Sequence, residues 1–124
     1  MLIDTDVLID YLRGHTEAVE FLEANVEEAA TSSVTVAELY QGVREGSERL
    51  KLATMLSALK VLPLTEEIAE GAGLLRREHR NSAGCGLADC MIAATATHHG
   101  LKIVTLNEKH FGMLDEVIVP YRKV

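Results

Sequence analysis

Residues 1–12 read MLIDTDVLIDYL, and this stretch decides the fold. Leu2 and Ile3 read as the end of a short buried strand. Val7, Leu8, Tyr11 and Leu12 then recur at helical spacing. The pattern predicts a strand that passes at once into a helix over 5–13, closed by Gly14. Asp4 and Asp6 stand at that junction. In an open parallel sheet, ligands bind just beyond the carboxyl ends of the strands. Asp4 reaches that place without a linker, so the sheet fixes its position. Helix capping explains one aspartate, but this turn has two. With both in one helical turn, Asp6 is expected to point away from Asp4.

Outward from this stretch, short strands alternate with helices. Helices are expected over 16–28 with Thr16 as cap, 35–44, 48–59, 65–80 and 87–99. Strands are expected over 29–33, 61–64, 103–106 and 117–120, with a loop over 81–86 (NSAGCG) as the most mobile segment. This alternation implies a three-layer α/β/α sandwich with a central, mostly parallel sheet. The 124 residues suffice for one domain and one core.

With 48% hydrophobic and 25% charged residues, the composition is that of a soluble globular protein. No apolar run is long enough to span a bilayer and no leader opens the chain, so no membrane role and a cytoplasmic location are expected. Cys85 and Cys90 have no second pair to complete a zinc site and read as reduced packing residues. A formal net charge of −7 argues against broad electrostatic binding to nucleic acid. It leaves room for an enzyme that meets a phosphate through bound cations.

Three further polar residues repeat the situation of Asp4. Glu38 is expected in the first turn of the helix after the small-residue strand, Asp89 in the first turn of the apolar helix LADCMIAATA, and Asn107 directly after the strand at 103–106. Parallel strands bring all of them to the sheet edge that holds Asp4. Each has a structural explanation as well. Thr35 and Glu38 fit a capping box, Asp89 fits dipole compensation, and Asn107 fits an N-cap. Asp89 resists this reading most, because an unpaired carboxylate beside a core is costly without a cation or donor. Three acids and an amide on one edge suit a hard divalent cation.

Four stretches, IDTDVLIDYLRG, TVAELYQG, LADCMIAATA and TLNEKHF, resemble in order the motifs of the PIN-domain nucleases. They are most similar to the toxin components of VapBC toxin–antitoxin pairs, over essentially the whole chain. The resemblance implies a Mg²⁺- or Mn²⁺-dependent endoribonuclease. Its acidic positions fall on Asp4, Glu38 and Asp89 as metal ligands and catalytic residues. A fourth site position, often Asp, falls on Asn107, which removes one charge and makes a single cation the expectation. Asp6 stands where the family often has Asn and is an outer-shell candidate. Thr5 and Thr105 are candidates to hold water or phosphate. The resemblance also implies an RNA substrate, a homodimer, and an antitoxin partner that inserts a basic residue at the acidic site.

Competing readings remain. A phosphatase or phosphotransferase would use Asp4 as nucleophile and Asp6 as acid/base, but the chain shows no later acid pair. A receiver domain would need an aspartate ending a mid-chain strand, where KLATMLSALK forms a helix instead. A non-catalytic binding module would use the acids only as caps. His98, His99 and His110 are weaker ligand candidates. Arg76, Arg77, His79 and Arg80 form the densest basic patch and are the candidate guide for RNA.

Overall fold

The computed structural model describes residues 1–81 and 85–123. β1 (Leu2–Ile3) runs directly into α1 (Thr5–Leu12), and α2 (Thr16–Asn25) follows. The turn between the two helices is made by Gly14 at φ +76°, a left-handed conformation that costs glycine nothing. β2 (Ala30–Ser32) leads into α3 (Ser33–Gly42) and α4 (Ser47–Ala58). β3 (Lys60–Leu62), α5 (Glu66–Glu78), α6 (Leu87–His98) and β4 (Ile103–Val104) complete the order. The four strands form one parallel sheet in the order β3-β2-β1-β4.

Alternation along these strands builds the two faces of the sheet. Leu2 and Ile103 pack on one side with Leu62, Ile92, Ala93, Ala96 and Phe111. Ile3 and Val104, one residue on, pack on the other with Val7, Leu8, Leu22, Leu39, Leu52 and Met55. Successive strand side chains point to opposite faces, so a two-residue strand contributes to both cores. Each large apolar side chain buried this way contributes about 1.5–3 kcal/mol. The result is the expected α/β/α sandwich.

Several boundaries differ from expectation. α3 begins at Ser33 because Ser32 caps it, its hydroxyl accepting from Val34 N at 3.0 Å. The capping box expected between Thr35 and Glu38 is therefore not formed, and Glu38 lies in the second turn. Thr16 is the first helical residue rather than the cap of α2, which ends at Asn25 before a 3-10 turn over Val26–Glu28. The strand expected over 117–120 shrinks to one parallel bridge, Val104 to Ile118. Pro120 has no N–H with which to extend the ladder.

Thr65, expected as the first residue of the helix over 65–80, instead caps α5, its hydroxyl accepting from Ile68 N at 3.2 Å. The loop expected over 81–86 lies in part outside the described residues. Cys85 and Cys90 are buried with their Sγ atoms 3.7 Å apart. Burial, then the hydrogen bond with Cys85, pushes the Cys90 thiol up to about 11, so it packs as a neutral group. Among the described residues no helix is long and apolar enough to cross a membrane.

Candidate active site

The parallel register brings the ends of β1, β2 and β4 together. Ile3 pairs with Val104, so the residues that follow, Asp4 and Thr105, meet just beyond the sheet. Asp4 is only 7% exposed and caps α1 in an extended conformation (φ −72°, ψ 158°). Its Oδ1 accepts from Thr5 N at 2.8 Å and its Oδ2 from the Thr105 hydroxyl at 2.8 Å. Both donors are neutral. Burial, followed by the charge on Asp6, pushes the Asp4 carboxyl up to about 7, with a smaller contribution from Asp89. The Thr105 and Thr5 hydrogen bonds oppose that rise without cancelling it.

Thr5 couples Asp4 to a second acid. Its backbone N–H binds Asp4, while its Oγ1 lies 2.6 Å from Glu38 Oε1 and 3.1 Å from Thr35 Oγ1. A threonine hydroxyl has one proton. The nearer carboxylate takes it, leaving Thr35 to donate back to Thr5. Glu38 thus points toward the β1–α1 junction from the second turn of α3. Beside it opens a cleft of about 280 Å³ walled by Ile9, Leu12, Leu39 and Val43, with Arg13 and Glu48 at its polar side.

Asp6 does not point away from Asp4. The Oδ2 atoms of both lie within 3.3 Å of the same Thr105 hydroxyl. Asp4 precedes the helix in extended backbone, so the angular spacing of helical positions does not apply between the two. Asp6 Oδ1 accepts from Val7 N (2.8 Å) and Oδ2 from Leu106 N (3.0 Å). Burial raises its carboxyl above the ordinary value, and those two backbone bonds restrain the rise.

Thr105, fully buried, is shared between Asp4 and Asp6 and also accepts from Asn107 N at 3.0 Å. The two threonines expected to hold water or phosphate therefore hold carboxylates. Asp89, in the first turn of α6, accepts from Gly86 N at 3.3 Å. His110, from the 3-10 turn over Glu108–Phe111, places Nδ1 3.6 Å from the same Asp89 Oδ2. Asn107 is exposed and engages the site through its backbone. His110, set aside on sequence, is the side chain from this segment that faces an acid. Nothing in a one-dimensional pattern distinguishes the two, because the direction of a short turn depends on where β4 stops.

Asp10 was not singled out on sequence either, yet it is 5% exposed. It accepts from Tyr121 Oη (2.8 Å) and Lys123 Nζ (2.7 Å), and Tyr121 stacks on His15 with ring centroids 5.0 Å apart. The basic patch ends α5, where Arg77 and Arg80 are exposed.

The donor set consists of hard oxygens, the kind that suits Mg²⁺ or Mn²⁺. Asp4 in particular is a buried carboxylate, held by neutral donors and crowded by other acids, and a cation would relieve it. As the side chains stand, no three His, Cys, Asp or Glu among the described residues are grouped closely enough to enclose an ion.

The chain matches the model of the PIN domain over residues 1–116. It is 40% identical to Ribonuclease VapC10 of Mycobacterium tuberculosis, covering 98% of this chain and 92% of that protein. It is likewise 40% identical to Ribonuclease VapC19 of the same organism, covering 97% and 98%. Its fold matches a chain in a solved toxin–antitoxin complex from Klebsiella pneumoniae with a TM-score of 0.84 and 33% identity, covering 98% of both chains. The acids gathered at the carboxyl edge of a parallel sheet are thus found in a chain that belongs to the PIN-domain family, among its VapC-like members.

Proposed function

We propose that this chain is a metal-dependent endoribonuclease, the toxin of a toxin–antitoxin pair, hydrolysing RNA phosphodiester bonds with Mg²⁺ or Mn²⁺. The observation that carries the reading is Asp4, a buried carboxylate raised to about 7 by burial and by neighbouring acids, with only neutral donors in contact. The names of the two mycobacterial relatives support the RNA substrate.

Asp4, Asp89 and Glu38 would hold the cation. When bound, such a cation polarises the phosphate and lowers the pKa of its water. Thr5 and Thr105 hold Glu38 and Asp4 by hydrogen bonds before substrate arrives, which limits the reorganisation left to these two acids. Glu38, half-buried and steadied by one short hydrogen bond, is placed to orient the attacking water. Asp6 ties the segment after β4 to the start of α1 and so keeps Thr105 in place.

The Klebsiella likeness supports an antitoxin partner. A guanidinium inserted among these acids would pair with the carboxylates that otherwise hold the cation. An apolar stretch of the partner would find the walls of the cleft beside Glu38. Two copies of the chain are expected to associate as a homodimer.

The test is cleavage of a mixed RNA pool by the purified chain. Activity should vanish in EDTA and return with added Mg²⁺ or Mn²⁺. Cleavage that persists undiminished in EDTA would exclude the metal-dependent mechanism. A phosphorylated Asp4 after incubation with phosphoesters would replace it with the phosphotransferase reading.

A further inference from the structure

The geometry points to His110 as a positioning residue that orients Asp89 for cation binding. The inference rests on the nuclease reading and adds to it a residue outside the acidic set. Among the described residues, both side-chain contacts of Asp89 fall on one oxygen: Gly86 N at 3.3 Å and His110 Nδ1 at 3.6 Å both face Oδ2. Oδ1 is the oxygen that these two contacts leave for a ligand. Gly86 N–H alone fixes where Oδ2 lies and leaves the carboxylate plane able to turn about it. Donors prefer to lie near the plane of the carboxylate, so a second approach to the same oxygen from a different element favours the plane that contains both donors.

His110 is well placed for this. It sits in the 3-10 turn that follows Thr105, and its own backbone N–H donates to Asn107 O at 3.0 Å. Thr105 in turn binds Asp4 and accepts from Asn107 N. The two acids expected to share a cation, Asp4 and Asp89, are therefore oriented from one segment, 105–110. The 3.6 Å separation is longer than a hydrogen bond. It is of the kind that tightens when the ligand set closes on its cation. The imidazole tautomer that carries its proton on Nδ1 presents an N–H to Oδ2, and the side chain as a whole is 40% exposed.

The experiment measures Mn²⁺ binding by the electron paramagnetic resonance of the free ion, for wild type, His110→Ala and His110→Asn. An asparagine amide can place an N–H near the Nδ1 position; alanine cannot. Loss of an outer partner of a metal ligand weakens metal affinity on the order of 10-fold. His110→Ala should show that loss, with an unchanged melting temperature in EDTA. His110→Asn should recover to within about threefold of wild type, given the same N–H donor. Wild-type affinity in His110→Ala, or equal loss in both variants, would overturn the assignment. So would a nitrogen coupling to Mn²⁺ that disappears in His110→Ala, which would make His110 a ligand in its own right. Failure of the wild-type chain to bind Mn²⁺ at all would remove the nuclease reading itself, and the inference with it.

Discussion

Asp4 and Asp10 lie at the two ends of the same short helix and are almost equally buried, at 7% and 5% exposure. Their chemistry is opposite. Asp4 is bound by a backbone N–H and a hydroxyl, with Asp6 and Asp89 nearby, and its carboxyl is pushed up to about 7. At Asp10 burial also pushes upward. The Lys123 and Tyr121 hydrogen bonds and the Lys123 charge outweigh it and bring the carboxyl below its ordinary value. A buried acid given a cation by its own chain is structural: it fastens the C-terminal segment to α1. A buried acid denied one is held ready for a cation from outside. The difference lies in the partners, not in the burial.

The largest effect should come from exchanging the roles these two residues play. Asp4→Asn keeps the cap and the shape but removes the charge, and should lower metal-dependent cleavage on the order of 10³-fold, about 4 kcal/mol of transition-state stabilisation. Asp10→Ala should leave cleavage within a few-fold at a temperature where the chain is folded. It should instead cost roughly 2–3 kcal/mol of stability, because Tyr121 and Lys123 lose their acceptor. Lys123 is half exposed, which keeps that figure toward the low end. Cleavage rates and urea midpoints on both variants decide the matter. Comparable losses of cleavage in the two would erase the distinction.

The same pair should diverge with pH. Asp4 is raised in the folded chain, so the unfolded chain releases this proton first. Its contribution to stability falls as pH rises from about 3.8 toward about 7. Asp10 is lowered, so its contribution is complete above the ordinary carboxylate value and is lost as pH falls through the folded one. Without metal, Asp4→Asn should therefore be more stable than wild type at pH 7.5 by roughly 1–3 kcal/mol, with the gain shrinking toward pH 4. Melting curves in EDTA across this range give the comparison. A gain independent of pH would mean that the variant stabilises through packing or capping instead.

Asp6 falls between the two. It is buried and raised like Asp4, yet both of its oxygens are committed to backbone N–H groups. An asparagine has one acceptor oxygen and can satisfy only one of them. Asp6→Asn should cost about 1 kcal/mol and lower cleavage about 10-fold through the displaced 105–107 segment. A loss as deep as that of Asp4→Asn would move Asp6 into direct contact with the cation.

These contrasts also mark what the sequence discloses. The β1–α1 junction is legible because apolar spacing changes from strand to helix within five residues and two aspartates mark the change. The start of α5 is legible to within one residue because local chemistry decides it, Thr65 capping the helix it was expected to begin. The start of α3 is not, since Ser32 and Thr35 are both good caps by type and the choice falls to burial of Thr35 in the tertiary fold. The convergence of Asp6 on Thr105 spans 99 residues, and that of Asp10 on Tyr121 spans 111. Neither has any local periodicity to betray it. The final strand at 117–120 has an apolar pattern but lies where Pro120 halts pairing. The parallel direction of the strands, which puts their carboxyl ends on one edge, is implied by the alternation of elements; the strand order, and which oxygen meets which donor, are not.

The smallest expected effect sharpens the comparison most cleanly. Tyr121 is 6% exposed, donates to Asp10 Oδ2, and stacks on His15. Burial, together with the hydrogen bond to Asp10, pushes its phenol upward, so it is a neutral donor throughout the working range of pH. Tyr121→Phe keeps the ring and its stacking and removes one hydrogen bond to a carboxylate that still has Lys123. The expected cost is about 1–2 kcal/mol near neutral pH. It should diminish in acid, because Asp10 loses its charge as pH falls through its lowered value and the bond then joins two neutral groups. Cleavage and Mn²⁺ affinity should not change, since among the described residues no hydrogen bond of this cluster reaches Asp4, Glu38 or Asp89. Urea midpoints at pH 7 and pH 4, read beside cleavage rates at 25 °C, test both halves. A Tyr121→Phe chain with full stability and reduced cleavage would show that the C-terminal fastening acts on the site rather than on the fold, and that the two buried aspartates are not separate devices.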